Sequence, residues 1–263
     1  AGARVGYAIG HIDLIKALRS KGKALSMDDI VSFKEEKIGY PPYSYAITFD
    51  DGFKNNHEIA APILDDYSTP ATFYITTDFV NSNRMSWIDQ IEYCFESVQS
   101  AYFFLPWSKE KKYVYDSKTK VACLEEIRKK VKSNPIKYLN DEFVSNIFIQ
   151  FGVDLIKSNS NKIDQKMNWS DVFSLSKNNL FAIGGHTHSH ASLAFLGDDE
   201  IESEINTSLR YLQDKANLTT THYSYPEGTK VDYSEKVIES LKKNQIKCCP
   251  TAINGSNKKG TNL

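Results

Sequence analysis

Tyr45-Ala46-Ile47-Thr48-Phe49-Asp50-Asp51-Gly52 passes from apolar to doubly anionic within eight residues. The first five residues read as a buried β-strand, with β-branched and aromatic side chains that suit a pleated surface. The plain reading of the remainder is a turn, because Asp and Gly dominate turns for steric and hydrogen-bonding reasons. Two carboxylates side by side at a strand end nevertheless repel each other and shift each other's pKa. A metal ion held by one of them, with the other left as a base, would relieve that repulsion.

A second motif, Gly184-Gly185-His186-Thr187-His188-Ser189-His190, follows another apolar run, Phe181-Ala182-Ile183. Taken singly it reads as a solvated histidine-rich loop. Taken with Asp50 and Asp51 it offers imidazoles to a shared site, provided that both strands end at one edge of a parallel sheet. The surrounding sequence supports such a sheet. Ile12 to Arg19 reads as a helix, and Ser26 caps a second one with Asp29 three residues on, as in a capping box. Asn55 to Tyr67 is helical in pattern, and Pro62 kinks it unless it lies in a first turn. Ala71 to Thr76 is a second strand.

The alternation breaks between about 81 and 168. Trp87 to Val98 is an amphipathic helix, Tyr102–Leu105 and Tyr113–Tyr115 frame a hairpin, and two more helical segments follow. This region reads as an insertion into one domain covering 1–263. Beyond it come a helix from Glu200 to Ala216, with Ile201, Ile205, Leu209 and Leu212 on one face, and a strand from Thr221 to Tyr225. A helix from Ser234 to Lys243 and a short strand from Ile246 to Cys249 complete the pattern. Strands alternating with helices predict an α/β fold with a parallel sheet, closed or open.

Bulk properties narrow the function classes. With 32 basic and 33 acidic residues, the net charge of −1 gives no electrostatic ground for a nucleic-acid or anionic-membrane partner. No run of about 18 apolar residues exists to span a bilayer. Cys94, Cys123, Cys248 and Cys249 show no metal or redox spacing and read as buried free thiols. That usage, with no hydrophobic leader at Ala1-Gly2-Ala3-Arg4, points to a cytoplasmic protein, or to a periplasmic or secreted one if a signal peptide has been removed.

A hydrolytic zinc site needs three protein ligands, commonly His and Asp or Glu, and one open position. Asp51, His186 and His190 meet that count, and the two histidines are four apart, as on one side of a helical turn. Asp50, beside a ligand, would then be free to accept a proton from an activated water. Trp87 falls after a strand, where the loops of a (β/α) barrel line the active-site face. It would either stack on a sugar ring or anchor the inserted helix.

Thr48-Phe49-Asp50-Asp51-Gly52 together with His186-Thr187-x-Ser189-His190 resembles the polysaccharide deacetylase family, carbohydrate esterase family 4. Tyr223-Ser224-Tyr225-Pro226-Glu227-Gly228 falls where that family has its third motif, in the subset with an aromatic-x-Tyr-Pro-x-Gly pattern. The resemblance implies a distorted (β/α) barrel of about seven strands and metal-dependent removal of acetyl groups from N-acetylated amino sugars. The substrate would be a polysaccharide, such as a bacterial surface polymer, or its glycan precursor. It further implies Asp50 as base and Asp51, His186 and His190 as ligands of one divalent ion, Zn²⁺ foremost, with Co²⁺, Ni²⁺ or Mn²⁺ as alternatives. Thr187 and Ser189 would steady the histidine loop, and the Glu227 N–H would bind the oxyanion. Tyr225 joins Trp87 as a candidate for contact with substrate.

Two positions depart from the family pattern. Ser224 stands where many members have an arginine that braces the base. No histidine follows His222 to serve as the family's general acid, so the expected barrel is short of its C-terminal end, or His222 supplies the proton. These departures keep open a member that binds glycan or metal without turnover. His-Thr-His-Ser also resembles the opening of the PHP phosphoesterases, whose multinuclear centre needs more histidines than His11, His57 and His222 provide. His11 and His57 sit in helical patterns and read as structural.

Overall fold

The computed structural model describes residues 12–138, 141–155 and 164–257; His11 lies outside them. Two compact units are present, one formed by 1–83 together with 161–263 and the other by 84–160.

The first unit opens with helix α1 (Ile12–Lys21) and helix α2 (Met27–Glu35). Ser26 caps α2 as expected: its hydroxyl accepts the Asp29 N–H at 3.0 Å, and Asp29 returns a bond to the Ser26 N–H at 2.8 Å. Strand β1 is Ile47–Phe49. A π-helical turn over Asn56–Ala60 then runs into α3 (Ala61–Asp66), with Pro62 in its first turn. A proline supplies no N–H to the helical ladder, and the widened π turn is where the chain absorbs that loss. Strand β2 (Ala71–Ile75) and α4 (Thr77–Ser82) follow.

In the second unit, α5 (Trp87–Glu96) leads to an antiparallel hairpin of β3 (Ala101–Phe104) and β4 (Lys111–Val114). Helices α6 (Ser117–Ser133), α7 (Pro135–Tyr138) and α8 (Asp141–Phe151) complete it. Ile91, Phe95, Phe103, Ile127, Ile147 and Phe148 form its buried core. The expected insertion at about 81–168 thus corresponds in position to a unit with a hydrophobic cluster of its own.

The first unit resumes with α9 (Trp169–Ser176), β5 (Phe181–Gly185), a 3₁₀ turn at Leu193–Phe195, α10 (Asp198–Ala216) and α11 (Glu235–Lys243). Strands β1, β2 and β5 lie side by side in that order and pair in parallel, Ala71 with both Ile47 and Phe181. Single parallel bridges extend the sheet, Ala24 to Tyr45 on one side, Gly185 to Tyr223 and His222 to Cys248 on the other. The strands expected at Thr221–Tyr225 and Ile246–Cys249 therefore appear as bridges. Thr220 takes the His222 N–H on its side chain, and Pro226 and Pro250 lack an N–H, so the backbone bonds these segments make stop short of full strands.

Phe49 stacks on Phe73 at 4.9 Å, and Phe73 meets Phe181 edge-on at 5.4 Å. This face packs against Leu64 of α3, Val172 and Leu175 of α9 and Leu212 of α10. Gly184 and Gly185 end β5 because tyrosines occupy the space of a side chain on both faces. A Cβ on Gly184 would lie 2.4 Å from the Tyr74 ring, and one on Gly185 2.4 Å from the Tyr223 ring. Parallel pairing has one further result: the C-terminal ends of β1, β2 and β5 share an edge.

Candidate metal centre

Asp50 directly follows β1; Asp51 comes next with φ 70°, and Gly52 follows with φ 73°. Two successive left-handed residues turn the chain back at the sheet edge, and a Cβ on Gly52 would meet Val80 at 2.8 Å. His186 directly follows β5 and is 1% exposed. Asp51 Oδ1 lies 3.2 Å from His190 Nε2 and 3.6 Å from His186 Nε2. Donors about 2.1 Å from a tetrahedral ion stand about 3.4 Å from one another, so both separations fit such an ion. Asp51, His186 and His190 form the one such ligand group among the described residues, all donor atoms within 4.8 Å. The four-residue spacing of the histidines works differently from the expected helical turn. The segment is a loop in which Thr187 (φ 61°) and His190 (φ 64°) are left-handed.

Neighbouring groups set the state of the imidazoles. His186 Nδ1 donates to the Ser224 carbonyl at 2.8 Å, which leaves the lone pair on Nε2, facing Asp51. His190 stacks against Phe79 at 5.8 Å. Burial pushes the His190 imidazole below its usual pKa, against the pull of the Asp51 carboxylate. A neutral ring able to bind a cation is the outcome. Thr76, just past β2, has its hydroxyl 3.2 Å from the His186 carbonyl and 3.5 Å from Asp51 Oδ1, between the two motifs. Asp50 sits beside the cluster with Oδ1 shielded from solvent, and its charge is felt at His190.

The histidine loop is held from two sides. Thr77 and Asp78 of α4 donate backbone N–H bonds to the Thr187 and His188 carbonyls, and Thr77 Oγ1 pairs with His188 Nδ1 at 2.9 Å. His188 also lies 5.0 Å from the Tyr211 ring. Ser189 Oγ donates to Glu204 at 2.8 Å, whereas the Thr187 hydroxyl is buried without a hydrogen-bond partner. Of the two expected supports, Ser189 acts through its side chain and Thr187 through its backbone, whose N–H reaches the Tyr223 hydroxyl at 2.9 Å. Glu204 and Thr77 were not among the residues singled out from the sequence, and Tyr223 was named there only as part of a motif, without this role.

Other candidates fall elsewhere. Glu227 (φ 63°) and Gly228 (φ 61°) turn the chain after Pro226, with the Glu227 charge felt at His190. His222, considered as a proton donor, is 4% exposed, outside the ligand group, and pairs through Nε2 with Asp28 of α2 at 2.8 Å. Its strand position lies two residues below Ser224, so the ring is spent on the helix covering the sheet. Tyr225, expected to touch substrate, is 6% exposed and stacks on Tyr233 at 4.7 Å inside a buried cluster. Trp87 is half-buried and packs against the second unit's own core. His57 lies 3.8 Å from Asp171 Oδ1 on the π turn.

The protein is thus of the α/β class, a parallel sheet whose strand ends bring a carboxylate and two imidazoles to one point, a donor set suited to a cation. The model of the family described as polysaccharide deacetylase matches residues 38–249. The chain belongs to the polysaccharide deacetylase family, and is thus a deacetylase. The fold agrees with solved structures at low identity. The deacetylase domain of BpsB from Bordetella bronchiseptica has a TM-score of 0.58 at 14% identity, over 100% of this chain and 86% of that one. A de-N-acetylase from Aggregatibacter actinomycetemcomitans has 0.56 at 13%, over 97% and 80%. The Streptococcus pyogenes deacetylase PplD, solved with acetate, has 0.54 at 14%, over 92% and 70%. No protein of curated function matches the sequence.

Proposed function

We propose that this chain removes N-acetyl groups from the amino sugars of a surface polysaccharide or its precursor, using one divalent ion, Zn²⁺ foremost. The observation that carries this reading is the approach of two imidazole Nε2 atoms to one Asp51 oxygen, at 3.2 and 3.6 Å. Asp51, His186 and His190 would hold the ion, which when bound polarises the acyl oxygen and acidifies water. Asp50, adjacent but outside the ligand group, accepts the proton from the attacking water. Having taken it, Asp50 would return it to the leaving amine, a role that needs no second acid. The Glu227 N–H, on a left-handed turn whose side-chain charge reaches His190, would support the developing oxyanion. The bridges flanking the three-stranded sheet support a curved, barrel-like sheet, as the family resemblance implies.

The test is acetate release from a panel of N-acetylated glycans by protein loaded with Zn²⁺ or Co²⁺, against metal-stripped protein. Release that depends on the ion and on Asp50 is expected. Equal rates for wild type and Asp50→Asn would remove the base from the reading.

A further inference from the structure

Three consecutive N–H groups of the histidine loop end on one helix. Glu204 Oε2 accepts the His188 and Ser189 N–H groups, each at 2.9 Å, and Oε1 accepts the Ser189 hydroxyl at 2.8 Å. The third N–H, from Thr187, reaches α10 through the Tyr223 hydroxyl. Tyr223 lies 2.9 Å from Ser208, one helical turn beyond Glu204. Ser208 spends its single hydrogen on the Ile205 carbonyl, so the Tyr223 phenol must donate to Ser208 while accepting from Thr187. The phenol is fully buried and burial holds it protonated, as that chain of bonds demands.

We propose that Glu204 is the positioning residue of the metal loop, fixing through the 188 and 189 backbone the separation of His186 from His190. This inference rests on the metal reading above and deepens it. The loop needs such an anchor because its left-handed Thr187 and His190 are conformations that L-residues rarely keep unaided. A carboxylate suits the task because both oxygens only accept, and here they face three donors. Glutamine has the same shape but would turn an NH₂ toward at least one of those donors, replacing attraction by repulsion. Outer-shell partners of metal ligands typically change affinity 10- to 100-fold when lost. Glu204 touches neither ligand side chain, so its effect is one of geometry.

The experiment measures zinc affinity of the full chain by chelator competition for wild type, Glu204→Gln and Ser189→Ala. The visible spectrum of the Co²⁺-loaded forms is recorded alongside. Glu204→Gln is expected to weaken zinc about 10- to 100-fold and to alter the cobalt spectrum. The melting point of its metal-free form should move by less than about 4 °C. Ser189→Ala removes one of the three bonds and is expected to weaken zinc about fivefold. Should Glu204→Gln fail to fold, that second variant carries the test. Wild-type zinc affinity with an unchanged cobalt spectrum in both variants overturns the role of Glu204. Wild-type protein that takes up no zinc is a different result and sinks the metal reading itself.

Discussion

Asp50 and Asp51 are chain neighbours in different surroundings: Asp51 faces two imidazoles, while Asp50 is outside that group with one oxygen shielded. Asp50→Asn is therefore expected to keep zinc while slowing acetate release about 10²- to 10⁴-fold. Asp51→Asn should lose zinc outright, as titration calorimetry would show; equal metal loss in both would end the division of roles. Asp232 offers a second test. It is 4% exposed and accepts bonds from the Thr229 N–H, the Thr229 hydroxyl and, at 2.7 Å, the Ser192 hydroxyl, so it clamps the turn after Glu227. Asp232→Ala strands those donors and should cost about 1–3 kcal/mol in urea unfolding. The ligands were legible in the sequence because Asp, His and strand ends announce themselves together. Glu204 was not, since a glutamate on an amphipathic helix looks like any solvated position. Nor did residue type reveal the left-handed turns at Asp51, Thr187, His190 and Glu227.

At the level of elements, the strands and helices were legible wherever the hydrophobic period was clean, as in β2, β5 and α10. The two C-terminal strand segments shrank to bridges because side-chain bonding and prolines are local effects that periodicity ignores. The pairing Gly184-Gly185 read as loop, yet it closes β5 beneath two tyrosines. Gly185→Ala would push a methyl into the buried Tyr223 ring, which also holds the Thr187 N–H. A loss of about 1–3 kcal/mol is expected, with weaker zinc binding than stability alone explains. A midpoint in urea unchanged from wild type would show that the ring can yield.

For the molecule as a whole, the four thiols are buried and unbridged. Burial pushes Cys94 and Cys248 up to about 12 and Cys123 to about 11, so the reactive thiolate forms only as pH rises toward those values. Native protein at pH 8 should thus resist a thiol reagent that labels all four in guanidinium; rapid native labelling would contradict the packing. Zinc should raise the melting point in proportion to the logarithm of its free concentration, and chelator should reverse the shift. The division of the chain into a continuous unit and an interrupted one also bears on how it assembles. Ala71 must find Phe181 across 110 positions (181 − 71), whereas 84–160 is synthesised as one uninterrupted stretch. Collapsing that stretch first shortens the effective loop and lowers the entropy of bringing β2 to β5 by about 1 kcal/mol. The interruption thereby sets an expected timetable, in which the excursion folds before β2 and β5 pair. Pulse-labelled hydrogen exchange should find the amides of α5 and α6 protected ahead of those in 71–75 and 181–185, and the reverse order would refute it.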